Sequence, residues 1–283
     1  MPNFSRQVLT IDLSQREASY GSFADLGHLL GGLGIGLELL RLYRDAHPTV
    51  FSVGPLNGLF PFASKVCCLS LLPGKVAESY LSGQSSLMMR FAGIDAIVIK
   101  GTSPTPLYLS VYPGGVVDFL DQEDAPTKFL KSGIMGRRSQ MVFSGSGGLA
   151  NEYFGIDEET ARKLFLGNLL GLSISGNEVL PILKEKEYKS LYLEILGRGG
   201  ELDVPFDGKP SCGGCPAGCE FSNLPEQKYD LILSHCLVTC GFSARIYESV
   251  PFVFSCLNIL GLPYKHEDLE ALPDRIKYIR QHV

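Results

Sequence analysis

The chain has no excess of positive charge. Its 25 lysines and arginines stand against 30 aspartates and glutamates, leaving a net charge of −5. That balance argues against nucleic acid held by bulk electrostatics. No basic run marks a membrane-surface patch either. Long apolar runs are also missing: the longest, over residues 29–42, is interrupted by Glu38 and Arg41. It is too short and too rich in glycine to span a bilayer. The opening Met1-Pro2-Asn3-Phe4-Ser5-Arg6 lacks a charged leader ahead of an apolar core and a cleavage site. A cytoplasmic protein is therefore expected. Thiols stay reduced in that compartment, so the eight cysteines are not expected to form a disulfide framework. With 283 residues, 45% of them hydrophobic, the chain can bury a sizeable core as one large domain or two modest ones.

Three of the eight cysteines lie in one eight-residue run, Cys212-Gly213-Gly214-Cys215-Pro216-Ala217-Gly218-Cys219. The small residues between them let the backbone wrap closely around whatever the sulfurs hold, and Pro216 stiffens the turn. Soft thiolate sets of this kind suit an iron–sulfur cluster or zinc. A cubane cluster needs a fourth thiolate, and a distant cysteine commonly supplies it. Structural zinc more often pairs two short knuckles, and the chain has no second CxxC. Sixteen residues separate Cys219 from Cys236, and Cys240 lies one helical turn further on. Spacing alone leaves the fourth place open between these two.

The chain before the cysteine run is rich in strand signals. Residues 7–13 alternate apolar and polar and read as a strand. Phe23 to Ala46 has leucines at helical spacing, stopped by Pro48. Inside it, Gly31-Gly32-Leu33-Gly34-Ile35-Gly36 is either a phosphate cradle at a helix start or a close-packing and helix-breaking device. The spacing is not that of a dinucleotide fingerprint. Short strands follow at 50–53, 66–72, 94–101, 106–112 and 116–120, with a short helix over 83–93. Cys67 and Cys68 are neighbours on a strand, so their side chains point to opposite faces, one in and one out. Residues 128–140 read as a solvated helix face and 144–152 as a loop, while 157–167 form a helix with an acidic first turn. Tyr192 to Leu196 reads as a strand ending in the turn Gly197-Arg198-Gly199-Gly200.

Several of these segments resemble the aldehyde ferredoxin oxidoreductase family of tungsten-pterin enzymes. The matching residues are Leu30-Gly31-Gly32-Leu33-Gly34, the turn Gly54-Pro55-Leu56-Asn57-Gly58 and above all Phe91-Ala92-Gly93-Ile94-Asp95-Ala96-Ile97-Val98-Ile99-Lys100-Gly101. Cys212, Cys215, Pro216 and Cys219 reproduce the family's CxxCPxxC run, and Ser234 to Thr239 resembles its later GLCLFT phrase. The resemblance implies Cys212, Cys215, Cys219 and Cys236 as the ligands of a [4Fe–4S] cluster, with Cys240 a bystander. It also implies a saddle-like β-domain seating a tungsten- or molybdenum-bis-pyranopterin, contacted here at Lys65 and Gly83.

Two departures set the functional expectation. Family members are longer, and most of the difference falls between Cys219 and Cys236, where they carry helical domains that enclose the active site. None of the five histidines (His28, His47, His235, His266 and His282) matches a family catalytic position, so the catalytic residues are left unassigned. The family arginine after the Gly54–Gly58 turn is Lys65, which keeps a charge but loses the bidentate fork. The expected fold is α+β: a β-rich N-terminal domain over 1–205, then a small, mostly helical cysteine-rich segment over 206–283. The expected function is an iron–sulfur redox protein related to enzymes that oxidise aldehydes to acids with ferredoxin as acceptor. The alternative is a non-catalytic electron-transfer or assembly subunit. Ferredoxin or another redox subunit is the expected partner, in a homo- or hetero-oligomer.

Overall fold

A computed structural model describes residues 5–124, 138–143, 156–199, 232–240, 243 and 246–283. The first half builds one mixed six-stranded sheet. Its strands are β1 (Arg6–Asp12), β2 (Glu17–Phe23), β3 (Thr49–Ser52), β4 (Val66–Leu72), β5 (Lys75–Leu81) and β6 (Ala96–Lys100). They lie in the order β2-β1-β6-β3-β4-β5, with only β1 and β6 running parallel. A second sheet, ordered β8-β7-β10-β9, is made from β7 (Leu107–Val111), β8 (Val117–Asp121), β9 (Arg138–Val142) and β10 (Leu169–Ser175).

Side-chain alternation along the central strands assigns each residue to one of two cores. Val8, Val50, Cys67, Leu69, Ala96 and Val98 face one core; Leu9, Ile11, Phe51, Cys68, Ile97 and Ile99 face the other. The second core is closed by β7, β9 and β10, by α2 (Ser85–Phe91) and by α3 (Glu158–Leu166). The first is closed by α1 (Gly32–Leu42) and the C-terminal helices. The centre of the first sheet is therefore covered on both faces, which is why its central strands read as continuous apolar runs. Cys67 and Cys68 do point to opposite faces, but both are buried. The expectation of one outward cysteine fails because neither face meets solvent.

The C-terminal helices are α5 (Ile232–Leu237), α6 (Val250–Ile259), α7 (His266–Glu270) and α8 (Leu272–Arg280). They share their core with α1 and with the first sheet, so the α+β expectation holds. A buried polar clasp joins the two parts of the chain. Arg6 donates to the Leu30 carbonyl at 2.7 Å and to Tyr264 Oη at 2.5 Å, and it faces Asp95 at 3.7 Å. Asp95 also accepts from Arg90 at 2.8 Å and from the Gln7 amide at 2.8 Å. The run from Phe91 to Gly101 therefore holds an architectural joint. Gly93 takes φ +73 at the bend before Asp95.

Three local readings are corrected. The helix expected over Phe23 to Ala46 is broken up: β2 runs to Phe23, a 3-10 turn spans Ala24–Leu29, and α1 begins only at Gly32. β2 escaped notice because, as a polar edge strand, it has no buried face to leave a pattern. Tyr192 to Leu196 is not a strand. It lies inside α4 (Glu185–Gly199), where Leu191 and Ile195, one turn apart, face the core. The expected turn at Gly197 is the end of that helix, with Gly200 outside the described residues. Residues 138–140, expected on a helix face, lie in β9. The readings over 125–137 and 144–155 lie outside the described residues, as does the boundary near 205.

α5 packs on the sheet through backbone. A Cβ on Gly54 would sit 2.4 Å from the Leu237 carbonyl oxygen, and one on Gly32 would sit 2.5 Å from that of His235. The Gly54 turn is pinned by Asn57, whose Oδ1 accepts the Gly54 amide at 2.6 Å and whose Nδ2 donates to the Lys65 carbonyl at 3.0 Å. Gly54→Ala is expected to destabilise the protein by roughly 2 kcal/mol in urea unfolding, because backbone cannot yield as a side chain does. Gly197→Ala, in a helix with nothing within 4 Å of the added methyl, should instead stabilise by up to about 1 kcal/mol. Asn57→Ala leaves two buried backbone groups without partners and should cost roughly 2 kcal/mol in the same measurement.

Candidate functional site

The two strands β4 and β5 set the site. Lys65 immediately precedes β4, and Ser82 and Gly83 immediately follow β5. Because β4 and β5 are antiparallel, pairing Val66 with Leu81 brings those flanks to the same end of the sheet. Lys65 is fully buried there. Its ammonium donates to Ser82 Oγ at 3.0 Å and to the Tyr80 carbonyl at 3.5 Å, while its backbone amide donates to the Val238 carbonyl at 3.1 Å. Gly83 continues the corner at φ +84, a left-handed conformation suited to glycine. Val238, on the other side, is also left-handed at φ +57 where α5 ends.

α5 carries Cys236 into the same corner. The side chain is sealed from solvent in the same core cluster as Cys67 and Tyr80. Burial pushes its thiol up to about 12, and the Gly34 backbone amide at the start of α1 works against that rise. A helix start favours a thiolate, and a bound metal ion deprotonates a coordinating thiol outright. Next to it, the His235 and Tyr80 rings meet edge-on, with centroids 5.1 Å apart. Tyr80 donates to Glu78 at 2.6 Å, and Arg280 of α8 donates to the same carboxylate at 2.7 Å.

The glycine run before α1 is resolved by this packing. The Gly32 amide donates to the Val53 carbonyl at 3.1 Å, and the Cys236 and His235 carbonyl oxygens crowd the positions where side chains would begin. Phosphate has no place in that crowded start. The glycines are there for close approach, and the anion-favouring end of the helix is turned toward a sulfur.

Cys240 is placed differently. It is half-buried, three residues beyond α5, with its sulfur 3.2 Å from Ser243 Oγ and accepting the Ser243 amide at 3.4 Å. Of the expected site residues, Lys65, Gly83 and Cys236 converge; Cys212, Cys215 and Cys219 lie outside the described residues. Among the described residues no three histidine, cysteine or acidic side chains gather as a metal site. Sequence reasoning missed Ser82, Tyr80 and Asn57 as supports of this corner. A strand recognised over 75–81 would have found the first two, since its pairing with β4 places them.

No helix among the described residues is long and apolar enough to cross a membrane. In solved structures the fold resembles a chain of the active site complex BamBC of benzoyl coenzyme A reductase in complex with 1,5-dienoyl-CoA. The TM-score is 0.58 at 19% identity, and the match covers 72% of this chain and 36% of that one. The present chain thus spans about a third of that neighbour's length, and the likeness is one of fold. The family model for the aldehyde ferredoxin oxidoreductase N-terminal domain matches residues 8–135. That segment holds all of the first sheet but the start of β1, the Gly54 turn, Lys65, Gly83 and the Arg90–Asp95 pair. Over residues 8–135 the chain is therefore similar to the N-terminal domain of the aldehyde ferredoxin oxidoreductase family.

Proposed function

We propose that the chain is an iron–sulfur redox protein whose [4Fe–4S] cluster is held by Cys212, Cys215, Cys219 and Cys236. The observation that carries this reading is the setting of Cys236. Its sulfur is buried, the Gly34 amide at a helix start favours its thiolate, and two residues on, the Val238 carbonyl accepts the backbone amide of the buried Lys65. The donor set fits the group, because four thiolates with small residues between three of them suit iron–sulfur ligation. Such a cluster supplies one-electron transfer when bound. The protein's own contribution is to keep water from Cys236 and to set the Gly34 amide of a helix start against its thiol, which favours the thiolate that burial alone opposes.

Lys65 and Gly83 are the residues that would meet a tungsten- or molybdenum-pterin on the same corner, giving an oxidoreductase that acts on aldehyde groups with ferredoxin or another redox subunit as acceptor in the cytoplasm. A specific observation favours the second reading, a non-catalytic electron-transfer or assembly subunit in a larger complex. The glycine-lined start of α1, with its N–H groups, is filled by the chain's own α5.

Anaerobically purified protein should contain about four irons per chain. One zinc without iron would overturn the cluster. Tungsten or molybdenum alongside the iron selects the enzyme reading, and iron alone selects the electron-transfer reading. Cys236→Ser should remove most of the visible absorption and the reduced-state EPR signal, while Cys240→Ser should keep both. The opposite pattern would move the fourth ligand to Cys240.

A further inference from the structure

At the other end of β3, β4 and β5, roughly 20 Å from the Lys65 corner by strand rise, lies a second concave site. It is a groove of about 550 Å³ between the first sheet and α3. That size falls in the range of small-molecule sites. It also sits past the carboxyl ends of the parallel pair β1 and β6, where Leu13 and Gly101 line it. Ligands in mixed α/β sheets favour such strand ends.

The lining has two chemistries. One is apolar, with Leu13, Leu71, Leu72 and Ile99 on the sheet side and Leu166 of α3 on the other, 65% exposed. The other is cationic. Lys100, Arg162 and Lys163 line the groove against a single carboxylate, Glu159. That carboxylate is already engaged by Lys75, outside the lining, at 2.5 Å. Lys100 is paired with Asp12. Lys163 uses its three donors on the Pro48 carbonyl (2.9 Å), Ser70 Oγ (3.0 Å) and the Leu71 carbonyl (3.1 Å), which fixes a cation against the sheet. Burial pulls its amine down to about 8. Arg162 is exposed and makes no ion pair or hydrogen bond among the described residues. His47, also in the lining, is held left-handed at φ +45, a strained state for a residue with a side chain.

We infer that this groove binds a small amphipathic oxyanion, with a carboxylate or phosphate head at Arg162 and an apolar body along Leu13, Leu71 and Leu166. Arginine suits the head because its planar fork accepts two oxygens at once. Glu159, held by Lys75, is kept from competing for Arg162. The leucines supply affinity that a bare anion would not gain.

Titration calorimetry on the full chain with octanoate and octyl phosphate tests the inference. Saturable binding of at least one is expected, weakened about tenfold in Arg162→Gln, as suits one lost charge-assisted contact. Leu166→Glu, a surface change that puts a carboxylate on the wall, should weaken it similarly. The stronger of the two probes identifies the head group. Three results would each overturn the inference: no saturable binding, octylamine binding as well as octanoate, or inorganic phosphate binding as well as octyl phosphate. A loss of binding counts only if each variant keeps the wild-type unfolding midpoint. If both substitutions unfold the chain, Arg162→Lys, which keeps the charge without the fork, must show an intermediate affinity for the inference to stand.

Discussion

The contact on which the candidate site depends is backbone against backbone. The last turn of α5 lies on the glycines at 31, 32 and 54 so closely that a methyl at any of them would overlap main-chain atoms at 2.9 Å or less. Main-chain atoms cannot rotate away as side chains do, so this approach fixes α5 in depth. It determines where Cys236 sits and how the Val238 carbonyl reaches the Lys65 amide. The apolar core around α1 supplies most of the stability, each buried leucine contributing roughly 2 kcal/mol. Leucines, though, would hold α5 equally well an ångström further out. Only the glycines bring it to hydrogen-bonding depth.

That division of labour separates the two kinds of signature in the chain. The run from Phe91 to Gly101 is the family phrase that the sequence reproduces at greatest length, yet its polar residues do structural work: Asp95 joins Arg6, Arg90 and β1, and Arg6 reaches Tyr264. A buried carboxylate shared by two guanidinium groups is strongly destabilising if one partner is removed, which is reason enough for such a phrase to persist without chemistry. The residues pointing toward chemistry are fewer and less regular. They are Lys65, Gly83 and Cys236, gathered where β4 begins, β5 ends and α5 stops.

How much of this was legible follows from the same physics. Central strands such as 66–72 and 96–100 announce themselves because both faces are buried and the run is apolar throughout. β2 is polar and β5 is exposed at its start, so neither carries an alternating pattern. Missing β5 hid the pairing that brings Ser82 to Lys65. α4 was misread because its stretch 192–196, taken alone, is a short apolar run, and only Leu191 and Ile195 together show the helical period. The glycines over 31–36 were visible, but glycine at a helix start serves phosphate and close packing alike. Only the position of α5, more than two hundred residues away in the chain, decides between them.

The placement of Cys236 also bears on what a cluster would do for stability. α5 has six residues, too few to hold its shape alone. It is kept in place by the core on one side and by the glycine contacts on the other. A ligand bond from Cys236 to a cluster held by Cys212, Cys215 and Cys219 would tie a loop of the chain to this helix, and binding energy of that kind adds directly to the stability of the folded state. The same bond would hold the Val238 carbonyl against Lys65. Cluster, helix and cation would then form one mechanical unit, in which loosening any member would change the setting of the other two. A redox centre benefits from such coupling, because a site already held in position has little left to rearrange when an electron arrives.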